Sequence, residues 1–520
     1  MCATTVFRFR VALIVFALAG ACGPPRPIDL PENKEPPVPP LSEVMAGLKS
    51  AVWSERSEAV LAAGHGHYKE TIPLLLSLLS SDPNPAVRST AALVLADLGE
   101  QRAAAPIAQL LASSSEANAE SLIEALARLK NPVGAYAVLP YLKSSSNQTR
   151  LVAVSALGEM NARSASGEIL AMAMQNQDRE VARTYAMVLG KLGAVQSESY
   201  LLSILRSSKD DPASAAAINA LGSIKSVQAI PDLVKVMGSS YAKGRENAVP
   251  ALIAIGSPLA IPGCFLLLEN DSSEIRYAAS EVIYSIPSPS TAPQALALLK
   301  KKSRSAGPAS MILGHIHYKA ARETIEQVLQ DKSMSDRENI AKSLGWMGES
   351  ASSTVLISVL KEKDGEGRYG AAWSLGVLRT PDGLGPLLEA ADSGDRKLRQ
   401  VAIEAIGSYG SSDSLPVLSK LLKDSVLSIY AVDAISNIKG EEARKLLTDH
   451  AKNQTGGTRK AAIMALGRRK EEASVPFLIQ MLREDGTGEI QQSCMNALTE
   501  ITGERFRTRG NWFDWFEKRQ

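Results

Sequence analysis

The sequence predicts an all-α solenoid of about fifteen stacked helix pairs, each about 31 residues long. Three observations lead there. An apolar anchor residue recurs from Ala63 to Leu498 at steps of 29 to 32 residues, which marks an array of one supersecondary unit. Aromatic residues are only 5% of the 520 while apolar residues make up 45%, so the interior must be filled by small and aliphatic side chains. Proline and glycine fall at fixed offsets from the anchor, where helices would begin and end.

The chain opens differently. In residues 1–21, Arg8 and Arg10 lead into an apolar run of eleven residues, Val11–Ala21. A membrane span needs ~20 apolar residues, so this reads as a cleavable signal peptide. Ala19-Gly20-Ala21-Cys22 resembles the bacterial lipobox, small residues before a Cys that becomes the lipidated first residue, although Ala19 stands where that motif usually has Leu. Lipidation at Cys22 is the expectation; ordinary secretory cleavage after Ala17-Leu18-Ala19 is the other outcome the segment allows. Gly23 rather than Asp follows the Cys, so the lipobox resemblance implies an outer-membrane lipoprotein facing the periplasm. Cleavage removes two of the 57 basic residues and none of the 55 acidic ones, which leaves the mature chain formally neutral. Neutrality argues against nucleic acid as a partner.

Residues 22–41 form the expected tether. Eight of the nineteen residues Gly23–Leu41 are Pro, which fixes φ, removes donors and favours extended polyproline II. At ~3.1 Å per residue the tether reaches up to roughly 60 Å from its anchor. A Pro-rich ligand for another domain is the alternative use of the same composition.

The array itself is expected over residues 42–505, each unit holding two helices of about eleven residues. Within each repeat, let position seven be the anchor. Arg occupies position zero in nine repeats: Arg56, Arg88, Arg150, Arg245, Arg276, Arg337, Arg368, Arg399 and Arg459. Position three is Ala in eleven repeats, position six is Ala in nine, and position eight is Gly in nine. Apolar residues at positions 3, 4, 6, 7 and 10 form one helical face, and the small ones permit close helix approach. Gly at position eleven, as in Gly99, Gly193, Gly256, Gly348 and Gly410, suits a helix end. Pro73, Pro106, Pro231, Pro262, Pro293, Pro386, Pro416 and Pro476 then fall in the first turn of the next helix, where a missing donor costs nothing.

Stretches such as Arg88-Ser-Thr-Ala-Ala-Leu-Val-Leu-Ala-Asp-Leu-Gly99 and Arg399-Gln-Val-Ala-Ile-Glu-Ala-Ile-Gly-Ser-Tyr-Gly410 resemble the short bacterial HEAT-like repeat, the version also found in phycobilin lyases. The resemblance implies a right-handed superhelix of antiparallel helix pairs and says little about function, since such arrays host many roles. Residues 506–520 depart from the repeat. Trp512, Phe513, Trp515 and Phe516 are expected to cap the open face of the last unit, with an aromatic docking site as the rival reading.

Material for chemistry is scarce: five His and four Cys in the whole chain. Gly64-His65-Gly66-His67-Tyr68-Lys69 and Gly314-His315-Ile316-His317-Tyr318-Lys319 fall at the same repeat position, so His65, His67, His315 and His317 are weak metal-ligand candidates. No third ligand lies close in sequence, and exposed loop His with packed Tyr is the favoured reading. An iron enzyme of HEAT-repeat architecture, deoxyhypusine hydroxylase, carries paired His-Glu steps; here the five His are followed by Gly66, Tyr68, Ile316, Tyr318 and Ala451. No nucleophile elbow, phosphate loop or His-Glu-x-x-His is present. No catalytic residue and no cofactor are expected. Cys264 and Cys494 lie about seven repeats apart, too far for a disulfide, and read as small packed hydrophobes.

The Arg column admits two uses. It could grip anions, or each Arg could pair with an acid in the preceding turn: Asp82 before Arg88, Asp271 before Arg276, Asp364 before Arg368 and Asp395 before Arg399. An ion-pair ladder between neighbours is the expectation. Positions one and five of the second helix are where the repeat becomes irregular, and one turn apart they share a face away from the Ala/Leu stripe. Pairs there include Glu120/Glu124, Arg183/Met187, Tyr369/Trp373, Ile429/Asp433 and Lys460/Met464. Tyr277, Tyr369 and Trp373, with Arg368 and Arg399 on the adjoining row, are the expected partner-binding residues on the concave face. The function this suggests is a membrane-anchored periplasmic scaffold for a protein or peptide. A lyase-like or small-ligand-binding protein and a purely structural envelope component are the alternatives.

Overall fold

The computed structural model describes residues 39–113, 116–176, 178–207, 211–363, 365–484, 488–506 and 508–519. The signal peptide, Cys22, all but the last three residues of the tether and Asp364 lie outside them. Among the described residues all regular structure is helical: 31 α-helices linked by short 3-10 turns. In chain order they form fifteen pairs and one final helix, Arg509–Glu517. The described residues fall into two compact units, one ending at Pro106 and the other beginning at Ile107.

The anchors explain the pairing. Ala63 and every Leu or Ile at position seven through Leu498 are 0% exposed, the most uniform feature of the core. Each buried Leu or Ile removes enough apolar surface to contribute about 1.5–3 kcal/mol. In the first unit the helices Trp53–His65 and Pro85–Asp97 meet through this stripe, with Val60, Ala63, Ala91 and Leu95 fully buried.

In the second unit the two columns of small residues turn out to be the halves of one contact. Gly at position eight faces the position-six residue of the following repeat. A Cβ added at Gly190 would lie 2.7 Å from the Ala220 Cα, at Gly222 2.8 Å from Ala251, at Gly376 2.7 Å from Ala405, and at Gly467 2.8 Å from Ala497. Second helices therefore pack backbone on backbone, which no larger side chain permits.

Position eleven is equally uniform. Twelve repeats place a left-handed residue there, among them His67 at φ 49°, Gly99, Lys130, Asn161, Gly256, His317 at φ 51°, Arg379 and Gly410. That conformation ends the second helix and turns the chain into the 3-10 turn that precedes the next one. The shared place of the two His-x-His-Tyr-Lys segments is thus the place of a helix stop, which Gly fills in five other repeats.

Cys264 and Cys494 are both 0% exposed, and burial pushes the Cys264 thiol up to about 12, which makes it an inert packing group. At the C-terminus Trp512 is fully buried, edge-on to Phe506 at 4.9 Å. The final helix packs on the helices Val475–Glu484 and Gly488–Thr502, with Arg483 over Phe513 at 4.9 Å and Arg519 over Trp515 at 4.8 Å.

Candidate functional site

Seven consecutive second helices carry the features that single out one face: α1 (Ser273–Ser285), α2 (Ala306–His315), α3 (Arg337–Met347), α4 (Gly367–Leu378), α5 (Arg396–Tyr409), α6 (Ser428–Ser436) and α7 (Gly456–Arg468). Their stacking lines up side chains from successive repeats. Tyr284 of α1 stacks on His315 of α2 at 4.1 Å between ring centroids. His315 stacks on Trp346 of α3 at 4.3 Å, and Trp346 meets Trp373 of α4 at 5.4 Å. Four half-buried rings thus form a ladder across four repeats.

Two polar bridges skip a helix altogether. Asn339 of α3 donates through Nδ2 to the Tyr277 hydroxyl of α1 at 2.9 Å, passing over Gly307 of α2, where a Cβ would crowd the Tyr277 oxygen at 3.1 Å. Lys397 of α5 reaches Glu338 of α3 at 3.0 Å while its ammonium lies 4.1 Å above the ring of Tyr369 on α4. Lys342 holds the other oxygen of Glu338 at 2.7 Å. Burial alone would raise the Glu338 carboxyl; the two lysines outweigh it and hold it below the usual range.

The expected binding residues are therefore less free than their sequence positions suggest. Tyr277, Tyr369 and Trp373 are half-buried rather than solvent-facing, because Asn339 from two repeats on, Lys397 from the next repeat and Trp346 from the preceding one lie against them in turn. The Tyr369 hydroxyl donates to Asp395 at 3.0 Å. Arg368 also binds Asp395, at 2.8 Å, and Arg399 binds Asp424 at 3.2 Å.

The same forward shift runs through the Arg column and corrects the expected pairs. Asp82 pairs with Arg56, not Arg88, at 2.6 Å, and Asp395 pairs with Arg368, not Arg399. Arg337 takes Glu362 through two bonds of 2.7 and 2.8 Å. Arg88 and Arg276 instead donate to backbone carbonyls in the turn before them, Asp82 at 2.6 Å, and Asn270 and Asp271 at 2.9 and 2.8 Å. Carbonyls near a helix end attract a cation, and in Arg56, Arg337 and Arg399 the rest of the guanidinium reaches onward to an acid of the next repeat. The ladder is partial: Arg56, Arg337, Arg368 and Arg399 form forward rungs, while Arg88, Arg150, Arg245 and Arg276 hold backbone carbonyls.

His65 and His315 close their helices and His67 and His317 are the left-handed stops, so these are cap residues rather than loop residues. His315 is held between two rings, and its burial, with the charge of His317, lowers its basicity. Among the described residues no group of three or more His, Cys, Asp or Glu could hold a metal ion. Tyr284 and Trp346 were not among the expected site residues, and His315 was expected only as a weak metal ligand. Their signal was available: rings one or two places past the anchor in neighbouring repeats.

Among the described residues, Asp336, just before α3, is the one carboxyl of this region pushed upward, to about 6, chiefly by burial and against the Asn339 hydrogen bond. Its folded value lies above the ordinary 3.8, so its contribution is fully present below the unfolded value and is lost as pH rises through about 6. Asp336→Asn should therefore stabilise the chain by about 1–2 kcal/mol at pH 7.5, allowing for partial exposure, and leave stability unchanged near pH 4. Asn tolerates the left-handed backbone at this position, φ 65°. Denaturant melts of both proteins at the two pH values check this; an equal effect at both would remove the buried charge as its cause.

The sequence matches the family described as HEAT repeats over residues 41–127, 135–222, 167–252, 353–429 and 424–499, more than half of the chain. It is similar to deoxyhypusine hydroxylase of Drosophila melanogaster, 25% identical over 216 residues, which are 36% of this chain and 72% of that protein. It is also similar to the bilin biosynthesis protein PecE of Mastigocladus laminosus, 31% identical over 106 residues, 20% of this chain and 39% of that one. Among solved structures, Kap121p bound to Nup53p matches at a TM-score of 0.54 and 14% identity, covering 92% of this chain and 65% of Kap121p. Kap121p alone gives 0.51 and 13% over 89% and 64%. At these identities the likeness is one of fold.

Proposed function

The chain belongs to the HEAT-repeat family, and we propose that it is a membrane-tethered scaffold in the bacterial envelope that binds a protein or peptide on the face of its second helices. The observation that carries this reading is the contrast within each repeat. Buried positions repeat almost unchanged along the chain, while positions one and five of the second helix vary and carry half-buried rings and exposed large apolar side chains such as Met187, Ile429 and Met464. Solvated surface has no need of such side chains, whereas interfaces are enriched in them. Lipidation at Cys22 and a Pro-rich tether would hold the body away from an outer membrane, facing the periplasm.

Two variants test the two halves. Cys22→Ser should move the protein from the membrane fraction to the soluble one; unchanged partitioning would remove the anchor. Tyr369→Ala with Trp373→Ala should lower partner capture at least tenfold if the ladder end is an anchor point. Since Tyr369 also bonds Asp395, a modest fall in melting temperature is expected with it. Capture at the parental level would place the contact elsewhere on the face. A lyase-like or small-ligand role is the second reading, favoured by the similarity to PecE, and it requires a polar pocket that binds such a ligand.

A further inference from the structure

Beyond the ring ladder the same face opens into a groove of about 530 Å³ lined by α5, α6 and α7. That is the size of a site that encloses one or two large side chains. Ile429, Val432, Ala461 and Met464 supply its apolar lining, and Glu404 and Asp433 its carboxylates. Small residues give it depth: Gly407 sits on Ala434, where a Cβ would lie 2.9 Å from the Ala434 Cα. Ile429 is 51% exposed and Met464 43%, at positions one and five of their helices.

The charges differ from those at the ladder. There Glu338 is held by two lysines and Asp395 by Arg368 and Tyr369. In the groove Asp433 is paired with Arg468 at 2.8 Å, whereas the Glu404 carboxylate receives the Gln400 amide at 3.1 Å and, among the described residues, no cation. Two uncovered aliphatic side chains therefore stand beside a carboxylate without a counter-ion. An apolar side chain would bury the first pair, and only a positive group complements the second.

We propose that this groove takes a cationic amphipathic segment of a partner protein, with a large apolar side chain between Ile429 and Met464 and a neighbouring Lys or Arg on Glu404. This rests on the reading that the second-helix face binds a protein, and it names the chemistry of that protein's contact segment. An acidic segment would face Glu404 uncompensated, and a purely polar one would leave Ile429 and Met464 in water.

The test uses the purified full chain and three labelled twelve-residue peptides, built from Leu and Lys, from Leu and Glu, and from Ser and Lys in the same amphipathic order. Fluorescence anisotropy should show the Leu/Lys peptide binding at least tenfold more tightly than either other peptide. Glu404→Gln and Met464→Ser should each weaken it about tenfold or more while leaving the melting temperature in place. Equal binding of the Leu/Glu or Ser/Lys peptide, absence of Leu/Lys binding, or indifference to both substitutions would overturn the proposal. So would self-association in sedimentation velocity that Met464→Ser abolishes, since a second copy would then be the occupant. In cells, crosslinking to a protein from Ile429 that survives Glu404→Gln and Met464→Ser would refute the cationic segment and leave the wider binding reading standing. Loss of crosslinking from every second-helix position in the parent chain would refute that reading instead.

Discussion

Leu313→Asp should raise amide hydrogen exchange first in α2 and in the second helices beside it, α1 and α3, before the rest of the second unit responds. Leu313 is fully buried on the anchor stripe, and Asp there leaves a carboxylate in an apolar layer without a partner. An uncompensated buried charge typically costs about 3–5 kcal/mol, and the lost leucine contacts add a cavity. In a stack whose layers touch only their neighbours, such a lesion spreads outward from its own repeat. Simultaneous loss of protection from α1 to α7 would show instead one cooperative globule without separable layers.

Gly370→Val should be the second most damaging change. A Cβ at 370 runs into the Glu338 carbonyl oxygen and lies 2.9 Å from the Ala341 Cβ, so the obstacle is backbone and cannot rotate away. Accommodating Val requires α4 to move off α3, which would also part the bridge from Lys397 to Glu338 across α4. Overpacking of this kind costs about 1–3 kcal/mol, and more when backbone must shift. Gly385, with no atom within 4 Å of its added Cβ, is the matched control. Gly385→Val should leave the denaturation midpoint within experimental scatter, while Gly370→Val lowers it; equal effects would mean that the helix spacing does not depend on glycine.

These two positions also mark what could be read from residues alone. Leu313 and Gly370 act on nearest neighbours at fixed sequence offsets, and a period of about 31 residues makes such offsets visible. The anchor stripe, the Gly and Ala columns and the Gly helix ends were legible for that reason, whereas the left-handed His, Lys, Asn and Arg at the same position were not. Contacts that depend on the rotation accumulated over two repeats were not. Nothing in the local pattern indicates that Asn339 reaches Tyr277, 62 residues away, or that Lys397 reaches Glu338, 59 residues away. Those bridges are what turned Tyr277 and Tyr369 from presumed free surface into half-covered groups. The direction of the Arg pairs failed for a related reason. Asp82 is nearer in sequence to Arg88, but the helix of Arg56 delivers its guanidinium to that carboxylate from the repeat before.

The proposed binding face was legible as irregularity at positions one and five, and its detailed packing was not. Tyr369, Trp373, Ile429 and Met464 all occupy those positions. Only packing separates the first two, tied to Asp395 and Trp346, from the latter two, which remain open beside Glu404.

The most direct test of the account is site-specific photo-crosslinking in living cells from second-helix and first-helix surfaces of the same chain. Met187 and Ile429 are 54% and 51% exposed on second helices; Tyr136 and Leu266 are 76% and 80% exposed on first helices. Exposure alone favours capture from the first helices. Recognition by the second-helix face predicts one shared partner captured from Met187, Ile429 or both, and none from Tyr136 or Leu266. Capture from Tyr136 and Leu266 with none from Met187 and Ile429 would contradict it.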